Sequence, residues 1–287
     1  MTWQRALVLG GGGYVGVAWE AGLCAGLFER GVDLRECDAF VGTSAGAITC
    51  ARLASGQWPL SEMPAETAGS SIDPNKLDLG ALGLIFERWS KMERANTADA
   101  RIIGAAARDL YRDTIATWLG SIAALVGVSE WPAKPFFVTA VDVASGERKV
   151  FEASSGVPIA QAIAASAAVP GIFASVDIAG KRYMDGQVWS STHADLLLQQ
   201  PAEQRPREVV IAMPANRHTS PLVGPLAERE AAAEVEALKS AGCRVHLITP
   251  TAEQLPRLGN NLMDAERIPE AFAVGVETGL ALAVHLL

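Results

Sequence analysis

Four consecutive glycines follow a short hydrophobic run near the start of the sequence, in RALVLGGGGYVGVAWEAG (residues 5–22). The run at residues 6–9 is typical of a buried strand, and the residues from Val17 onward have the character of a helix that ends before Gly31. The glycines therefore form a tight strand-to-helix turn. In such a turn several backbone N–H groups and the positive end of the helix face one point, which favours an anion or a developing oxyanion.

Two different chemistries use a turn of this kind. Gly11, Gly13 and Gly16 fit the pattern G-x-G-x-x-G of dinucleotide-binding proteins, in which the turn holds a pyrophosphate. That pattern also needs an acid at the end of the second strand, where it binds the ribose. The second strand is predicted at residues 37–41, and no acid stands at its end. Dinucleotide binding therefore stays the weaker alternative.

The predicted second strand runs directly into Gly42-Thr43-Ser44-Ala45-Gly46, which fits the pattern G-x-S-x-G. This pattern is the nucleophile elbow, a sharp strand-to-helix turn that presents a serine hydroxyl. Small residues are needed there because larger side chains would collide with the neighbouring strand. The same residues would also suit a plain helix N-terminus capped by Ser44 or Thr43. The strand before the pattern and the apolar helix after it favour Ser44 as a nucleophile.

A nucleophilic serine needs a base, for which histidines and one aspartate are candidates. His246 lies in a predicted strand and His285 near the last residue, so both are predicted to be packing or surface residues. His218 follows a predicted strand on a loop, where a Ser-His-Asp hydrolase could carry its histidine. Asp185 precedes Gly186 at the end of a predicted hairpin strand, which also suits an ordinary Asp-Gly turn. Asp185 is the stronger candidate, and His218 stays open.

Together these segments resemble the patatin-like phospholipase family. The glycine turn, the elbow and the pair Asp185-Gly186 occur in that family's order, and ASAAVPGIF (residues 165–173) is similar to its segment A-S-x-A-x-P-x-x-F. The resemblance implies a three-layer α/β sandwich with a mainly parallel central sheet. It also implies a Ser–Asp dyad that cleaves lipid acyl esters through an acyl-enzyme, with no metal and no cofactor.

Carried onto this sequence, the resemblance makes Ser44 the nucleophile and Asp185 the base. The oxyanion hole is then formed by the amides of Gly11, Gly12 and Gly13. The sequence departs from the family at Val15, where members usually carry Arg or Lys, and at Gln187, where they usually carry a second glycine. The dyad is intact, but the two departures keep open a catalytically weak or silent lipid-binding or regulatory protein with the same fold.

Length and composition predict a single α/β domain over residues 1–287, with a helical cap inserted at about 57–134. The chain is 49% hydrophobic, which is enough for one large core. Within the insertion, apolar residues recur at helical spacing in residues 77–92 and 107–128. These faces either pack on the sheet or form a cap beside Ser44 that binds acyl chains.

Charge and cysteine content narrow the partners and the compartment. A net charge of −8 and a pI of about 5.1 argue against nucleic-acid binding and against adsorption to anionic membranes. Any contact with a membrane surface is therefore expected to be transient, local and apolar. The sequence lacks the ~18–20 continuous apolar residues of a membrane span and a signal-peptide segment, so a cytoplasmic protein is expected. The four cysteines have no metal-ligand spacing and are expected to be reduced core residues.

Overall fold

The computed structural model describes residues 3–63, 77–111 and 114–286. Residues 64–76, 112 and 113 of the predicted cap lie outside the described residues, as does the side chain of His285.

Eight strands in this part of the chain form one mixed sheet. They are β1 (Arg5–Leu9), β2 (Ala39–Thr43), β3 (Phe136–Asp142), β4 (Arg148–Phe151), β5 (Val176–Ile178), β6 (Lys181–Asp185), β7 (Glu208–Ala212) and β8 (Arg244–Ile248). The order across the sheet is β5-β6-β3-β2-β1-β7-β8, and β4 pairs with β3 outside that path. Strands β3, β2, β1, β7 and β8 are parallel, whereas β4, β5 and β6 join antiparallel. The prediction of a mainly parallel sheet is confirmed.

Helices cover both faces of this sheet. They are α1 (Gly13–Glu29), α2 (Ala45–Ala54), α3 (Leu79–Ser90), α4 (Thr97–Ala107), α5 (Ile115–Val126), α6 (Ile159–Ser166), α7 (Gly224–Ser240), α8 (Leu255–Leu258) and α9 (Ile268–Leu286). Leu7 and Leu9 face a core built with α1, α2, α5, α6 and α9. Ala6 and Val8 point the other way, toward α7 and the short 3-10 helix Ala194–Leu198. The alternating strand residues thus fill two cores, and the three-layer α/β sandwich is confirmed.

Two element boundaries differ from the sequence-based expectation. Strand β2 begins two residues later than predicted, because the N–H of Cys37 closes the preceding 3-10 turn on the carbonyl of Leu34. The helical spacing in residues 107–128 belongs to α5 only from Ile115 onward. Tyr111 has a φ of 57°, which an α-helix cannot accommodate, so the chain breaks there and α4 is a separate helix.

The N-terminal helix α1 crosses the last helix α9 with backbone against backbone. Two glycines on each helix allow this, Gly22 and Gly26 on α1 and Gly275 and Gly279 on α9. A Cβ on Gly26 would lie 2.2 Å from the carbonyl oxygen of Val276, and the other three glycines are as close to the facing backbone. The paired G-x-x-x-G spacing in the sequence is the signal for this crossing, and it holds the helix that follows the glycine turn.

We therefore expect Gly26→Ala to destabilise the protein by about 2–3 kcal/mol, since the added methyl must push two packed backbones apart. The matched control is Gly83→Ala on the exposed face of α3, where a Cβ meets nothing within 4 Å. There the better helix propensity of alanine should stabilise by up to about 1 kcal/mol. Urea unfolding of the three proteins measures both changes, and equal stabilities for the two variants would contradict the close crossing.

Candidate active site

Ser44 occupies a sharp turn between β2 and α2. Its backbone has φ 54° and ψ −118°, a left-handed conformation that costs a non-glycine residue about 1–3 kcal/mol. The turn fits only because Gly46 has no side chain: a Cβ there would lie 2.0 Å from the carbonyl oxygen of Leu9. The serine is 3% exposed. This geometry is that of the nucleophile elbow, with the side chain held at the end of a buried strand.

The segment at residues 165–173 supports both members of the predicted dyad. The Ser166 hydroxyl accepts a hydrogen bond from the backbone N–H of Ser44 at 2.9 Å. Two residues on, the carbonyl of Ala168 accepts from the backbone N–H of Asp185 at 3.0 Å. Similarity to a motif does not by itself give this segment a physical role. Its role is to tie the nucleophile turn and the aspartate strand to the end of α6.

Strand register brings Asp185 to the level of the elbow. Thr43, the last residue of β2, pairs with Thr139 of β3, and the next residue, Ala140, pairs with Asp185 of β6. Strands β2 and β6 are therefore two spacings, about 10 Å, apart with β3 between them. Side chains from their ends can converge over β3, and Ser44 follows Thr43 directly.

The Asp185 carboxyl is fully buried, and only one of its two oxygens accepts a hydrogen bond from the described residues. Its Oδ1 accepts the backbone N–H of Gln187 at 2.8 Å, while its Oδ2 has no hydrogen-bond partner among the described residues. Burial raises the pKa of this carboxyl from its ordinary 3.8 to about 7. The hydrogen bond from the Gln187 N–H opposes that rise, and so does the Ser44 hydroxyl, which lies near the carboxyl without forming a regular hydrogen bond; both favour the charged form. The result is a carboxylate that can take up a proton near neutral pH.

The glycine turn after β1 leaves two donors free. The N–H of Gly10 donates to Ala212 and that of Gly11 to the carbonyl of Ser191, at 2.9 and 3.0 Å. The N–H groups of Gly12 and Gly13 donate to no acceptor in the described part of the chain, and α1 begins at Gly13. Free amides at the positive end of a helix are suited to an oxyanion.

Two cavities meet at this turn. The smaller, of about 30 Å³, is almost wholly apolar and contains Ser44 and Gly13, with Trp118, Ile122 and Leu125 of α5 in its wall. The larger, of about 720 Å³, is open to solvent. Its described lining residues include Leu82, Phe86, Trp89, Gln187, Ser220 and Asn261. Both cavities share Gly13, Tyr14, Val169 and Met263, so the glycine turn lies at their junction.

None of the three histidines with a described side chain lies at the serine. His218 is exposed on the loop after β7, where its N–H donates to Asn216. His246 is bonded to Glu208 at 3.0 Å. His193 is fully buried, and its Nε2–H donates to the carbonyl of Gly186 at 3.0 Å. Burial, with the Arg148 charge, lowers the pKa of His193 to about 4, so it is a neutral support for the loop after Asp185.

Glu234, which was not predicted from the sequence, anchors the same loop. Its carboxylate accepts from the hydroxyls of Ser190 and Thr192 at 2.7 and 2.5 Å, and from the N–H of Ala194 at 2.7 Å. The only signal for it in the sequence is an acid on the buried face of helix α7. Because the carbonyl of Ser191 receives the Gly11 N–H, Glu234 holds the aspartate loop and the glycine turn in one bonded unit.

Val15, which stands where the family usually has Arg or Lys, packs in the hydrophobic core. Val15 is fully buried in the core beneath the turn, and its backbone N–H donates to the carbonyl of Leu262 at 3.1 Å.

All four cysteines are buried and free, as the sequence predicts. In the described ranges, no helix has the length and apolarity needed to span a membrane.

Comparison with known proteins identifies the class. The family model described as Patatin-like phospholipase matches residues 7–198, which is more than half of the chain. The chain therefore belongs to the patatin-like phospholipase family, a family of lipid acyl hydrolases, and the dinucleotide-binding alternative is set aside.

Two solved structures are similar to this chain. VipD from Legionella pneumophila has 15% sequence identity and a TM-score of 0.44, over 95% of this chain and 67% of that one. The type III effector protein ExoU has 13% identity and a TM-score of 0.43, over 98% of this chain and 53% of that one. The chain thus spans about half the length of ExoU. The comparison with curated proteins gave no match.

The buried carboxyl of Asp185 should lower the stability of the fold as pH rises. Because its pKa is about 7 in the folded state and 3.8 in the unfolded chain, only the unfolded chain loses the proton between those values. The resulting loss of folding stability grows from about pH 4 and is complete above about pH 7. Asp185→Asn removes it, so the variant should gain stability over wild type by more at pH 8 than at pH 5. The gain at pH 8 is of the order of a few kcal/mol, at about 1.4 kcal/mol per pKa unit. Urea unfolding at the two pH values checks this, and a gain that is equal or smaller at pH 8 contradicts the raised pKa.

Proposed function

We propose that this protein is a serine acyl hydrolase that cleaves lipid acyl esters through Ser44 and Asp185. The observation that carries the proposal is a fully buried aspartate at the level of the elbow, with its pKa raised to about 7. An aspartate with its ordinary pKa is a poor base for a serine, whereas one near neutrality is matched to the task. Membership of the patatin-like phospholipase family supports the same class of reaction.

In the first step the Asp185 carboxylate takes the proton of the Ser44 hydroxyl as the serine oxygen attacks the ester carbonyl. The charge that develops on the carbonyl oxygen is stabilised by the N–H groups of Gly12 and Gly13 and by the N-termini of α1 and α2. The N–H of Gly11 is already bonded to Ser191, so we narrow the oxyanion hole predicted from the sequence to Gly12 and Gly13. Losing one such donor typically costs about 3–4 kcal/mol of transition-state stabilisation.

The proton on Asp185 then passes to the departing alcohol, which completes the first half of the reaction and leaves an acyl group on Ser44. In the second half, a water molecule attacks this ester while Asp185 accepts a proton from the water, and Asp185 then gives that proton to the released serine oxygen. The cycle uses only the two side chains, the two amides and water, and it requires no metal or cofactor.

The two cavities suggest how the substrate is divided. The acyl chain enters the apolar cavity at Ser44, and the alcohol part lies in the larger cavity. Helices α3 and α5 contribute walls to these cavities, which supports the cap proposed for residues 57–134. The smaller cavity, at about 30 Å³, holds only a short piece of acyl chain. Long chains therefore require the cap helices to move apart from the sheet.

An apolar rim favours a brief contact with a lipid surface. Leu222 lines the larger cavity and is 52% exposed; Leu79 is 75% exposed at the start of α3, the helix whose Leu82 lines the same cavity. These side chains can enter a lipid layer without attraction between opposite charges, which suits a chain with a net charge of −8. We place the protein in the cytoplasm, where its four free cysteines would stay reduced.

The first test of the proposed function is Ser44→Ala, which should lower hydrolysis of a p-nitrophenyl ester at least a thousandfold because it removes the nucleophile. A fluorophosphonate probe should label wild type at Ser44, located by peptide mass spectrometry, and should not label the variant. If the variant keeps wild-type activity, the protein is not a Ser44 hydrolase. If wild type is neither labelled nor active but binds lipid vesicles, the silent lipid-binding alternative replaces it.

The same assay separates a dyad from a triad. Asp185→Asn keeps the shape and removes the base, so turnover should be lost, whereas exposed His218→Gln should keep most of it. In wild type and His218→Gln alike, kcat/KM should fall as the pH drops through about 7, because Asp185 must be ionised to accept a proton. An inactive, folded His218→Gln beside an active Asp185→Asn would assign the reaction to a histidine triad.

The lipid contact is tested by Leu222→Asp. A charge on the rim should weaken insertion into the lipid layer, so hydrolysis of a long-chain ester in phosphatidylcholine vesicles should fall several-fold more than that of a soluble butyrate ester. The matched control is Ile102→Asp on α4, since Ile102 is 49% exposed and Leu222 is 52% exposed. Equal losses on vesicles for the two variants would show that the rim at Leu222 is not the contact.

A further inference from the structure

The side chain of Gln187 is a buried amide with an unused donor. It is 9% exposed, and its Nε2 has no hydrogen-bond partner among the described residues. Its Oε1 lies against the glycine turn, since a Cβ on Gly11 would be 2.3 Å from that oxygen. Buried polar atoms in proteins are almost always bonded, so an unpartnered amide in a cavity wall indicates an acceptor that arrives with the ligand.

The position of Gln187 assigns it to the alcohol side of the ester. It lines the larger cavity together with Gly13, whereas Ser44 lines the smaller, apolar cavity on the other side of the same glycine turn. An acyl group attached to Ser44 would fill the apolar side. The part of the substrate beside Gln187 is therefore the alcohol, which is the leaving group.

The charges around the larger cavity indicate what that part carries. The one charged residue among its described lining residues is Asp264, whose carboxylate pairs with Arg267 at 3.6 Å. Among the described lining residues there is thus no surplus of positive charge, which a phosphate would need. The other described polar side chains of this cavity are neutral, namely Tyr14, Trp89, Gln187, Ser220, Asn260 and Asn261.

We propose, on the basis of the proposed function, that the Gln187 amide donates a hydrogen bond to an uncharged acceptor oxygen on the alcohol part of the substrate. The preferred substrates are then neutral esters of a polyol, such as acylglycerols, rather than esters that carry a phosphate. Gln187 is a specificity-determining residue in this reaction, and its backbone N–H keeps the separate task of bonding Asp185.

The experiment compares wild type with Gln187→Met, which keeps the length of the side chain and removes the donor. Three butyryl esters are used: glyceryl monobutyrate, 1-butyrylglycerol 3-phosphate and 1-naphthyl butyrate, whose alcohol part has no acceptor beyond the ester itself. Wild type should have a higher kcat/KM on the glyceryl ester than on its phosphate. The variant should lower the ratio of kcat/KM on the glyceryl ester to that on the naphthyl ester about 3- to 10-fold, the effect of one lost neutral hydrogen bond. If Gln187→Met does not fold, Gln187→Ala gives the same ratio without added bulk.

Each other outcome has a distinct meaning. An unchanged ratio, or a wild type that prefers the phosphate ester, overturns the inference and leaves the proposed function intact. An equal loss on all three esters, with slower fluorophosphonate labelling of Ser44, would move the Gln187 donor to the oxyanion and also overturn it. A wild type that hydrolyses none of the esters and is not labelled contradicts the proposed function itself, and this inference with it.

Discussion

The close contact between two neighbouring strand-to-helix turns is the constraint on which the rest of the site depends. The turn after β2 packs against the end of β1 so tightly that Gly46 touches the carbonyl of Leu9, and the Gly46 N–H donates to Gly10 at 3.1 Å. The serine and the free amides therefore come from adjacent strands with no freedom to separate. This arrangement lets a site that needs sub-ångström positioning rest on backbone rather than on side chains. The strain at Ser44 is tolerated because strand β2, helix α2 and the bond to Ser166 fix the turn.

The features that the sequence predicts well are those encoded locally. A hydrophobic run, a glycine-rich turn and an apolar helix are enough to identify the two turns and the layered α/β class, since each depends on a few consecutive residues. The roles assigned to Ser44 and Asp185 came from motifs and remain proposals, although the structure brings both residues to one end of the sheet. Their separation could not be read from the motifs because it depends on the register of β2, β3 and β6.

The features that could not be predicted depend on partners far along the chain. The amide of Gly11 is bonded to a carbonyl 180 residues later, and only that contact distinguishes it from Gly12 and Gly13. Glu234 resembles any helical acid in the sequence, yet it holds three donors of the loop that follows Asp185. The unpaired amide of Gln187 is visible only once the burial around it is known. In each case the local sequence permits several bonding arrangements, and tertiary packing selects one.

The crossing of α1 and α9 has a consequence for the order in which the molecule is completed. Helix α1 carries the free amides on its first turn, but its packing partner is the helix at residues 268–286. On the ribosome, β1, β2 and their turns emerge more than two hundred residues before that partner, so the backbone stripe of α1 stays uncovered until residues 268–286 have emerged. We expect a nascent chain to hold its sheet in a loosely packed state until α9 docks. The proposed active site would then be completed only when α9 docks on α1.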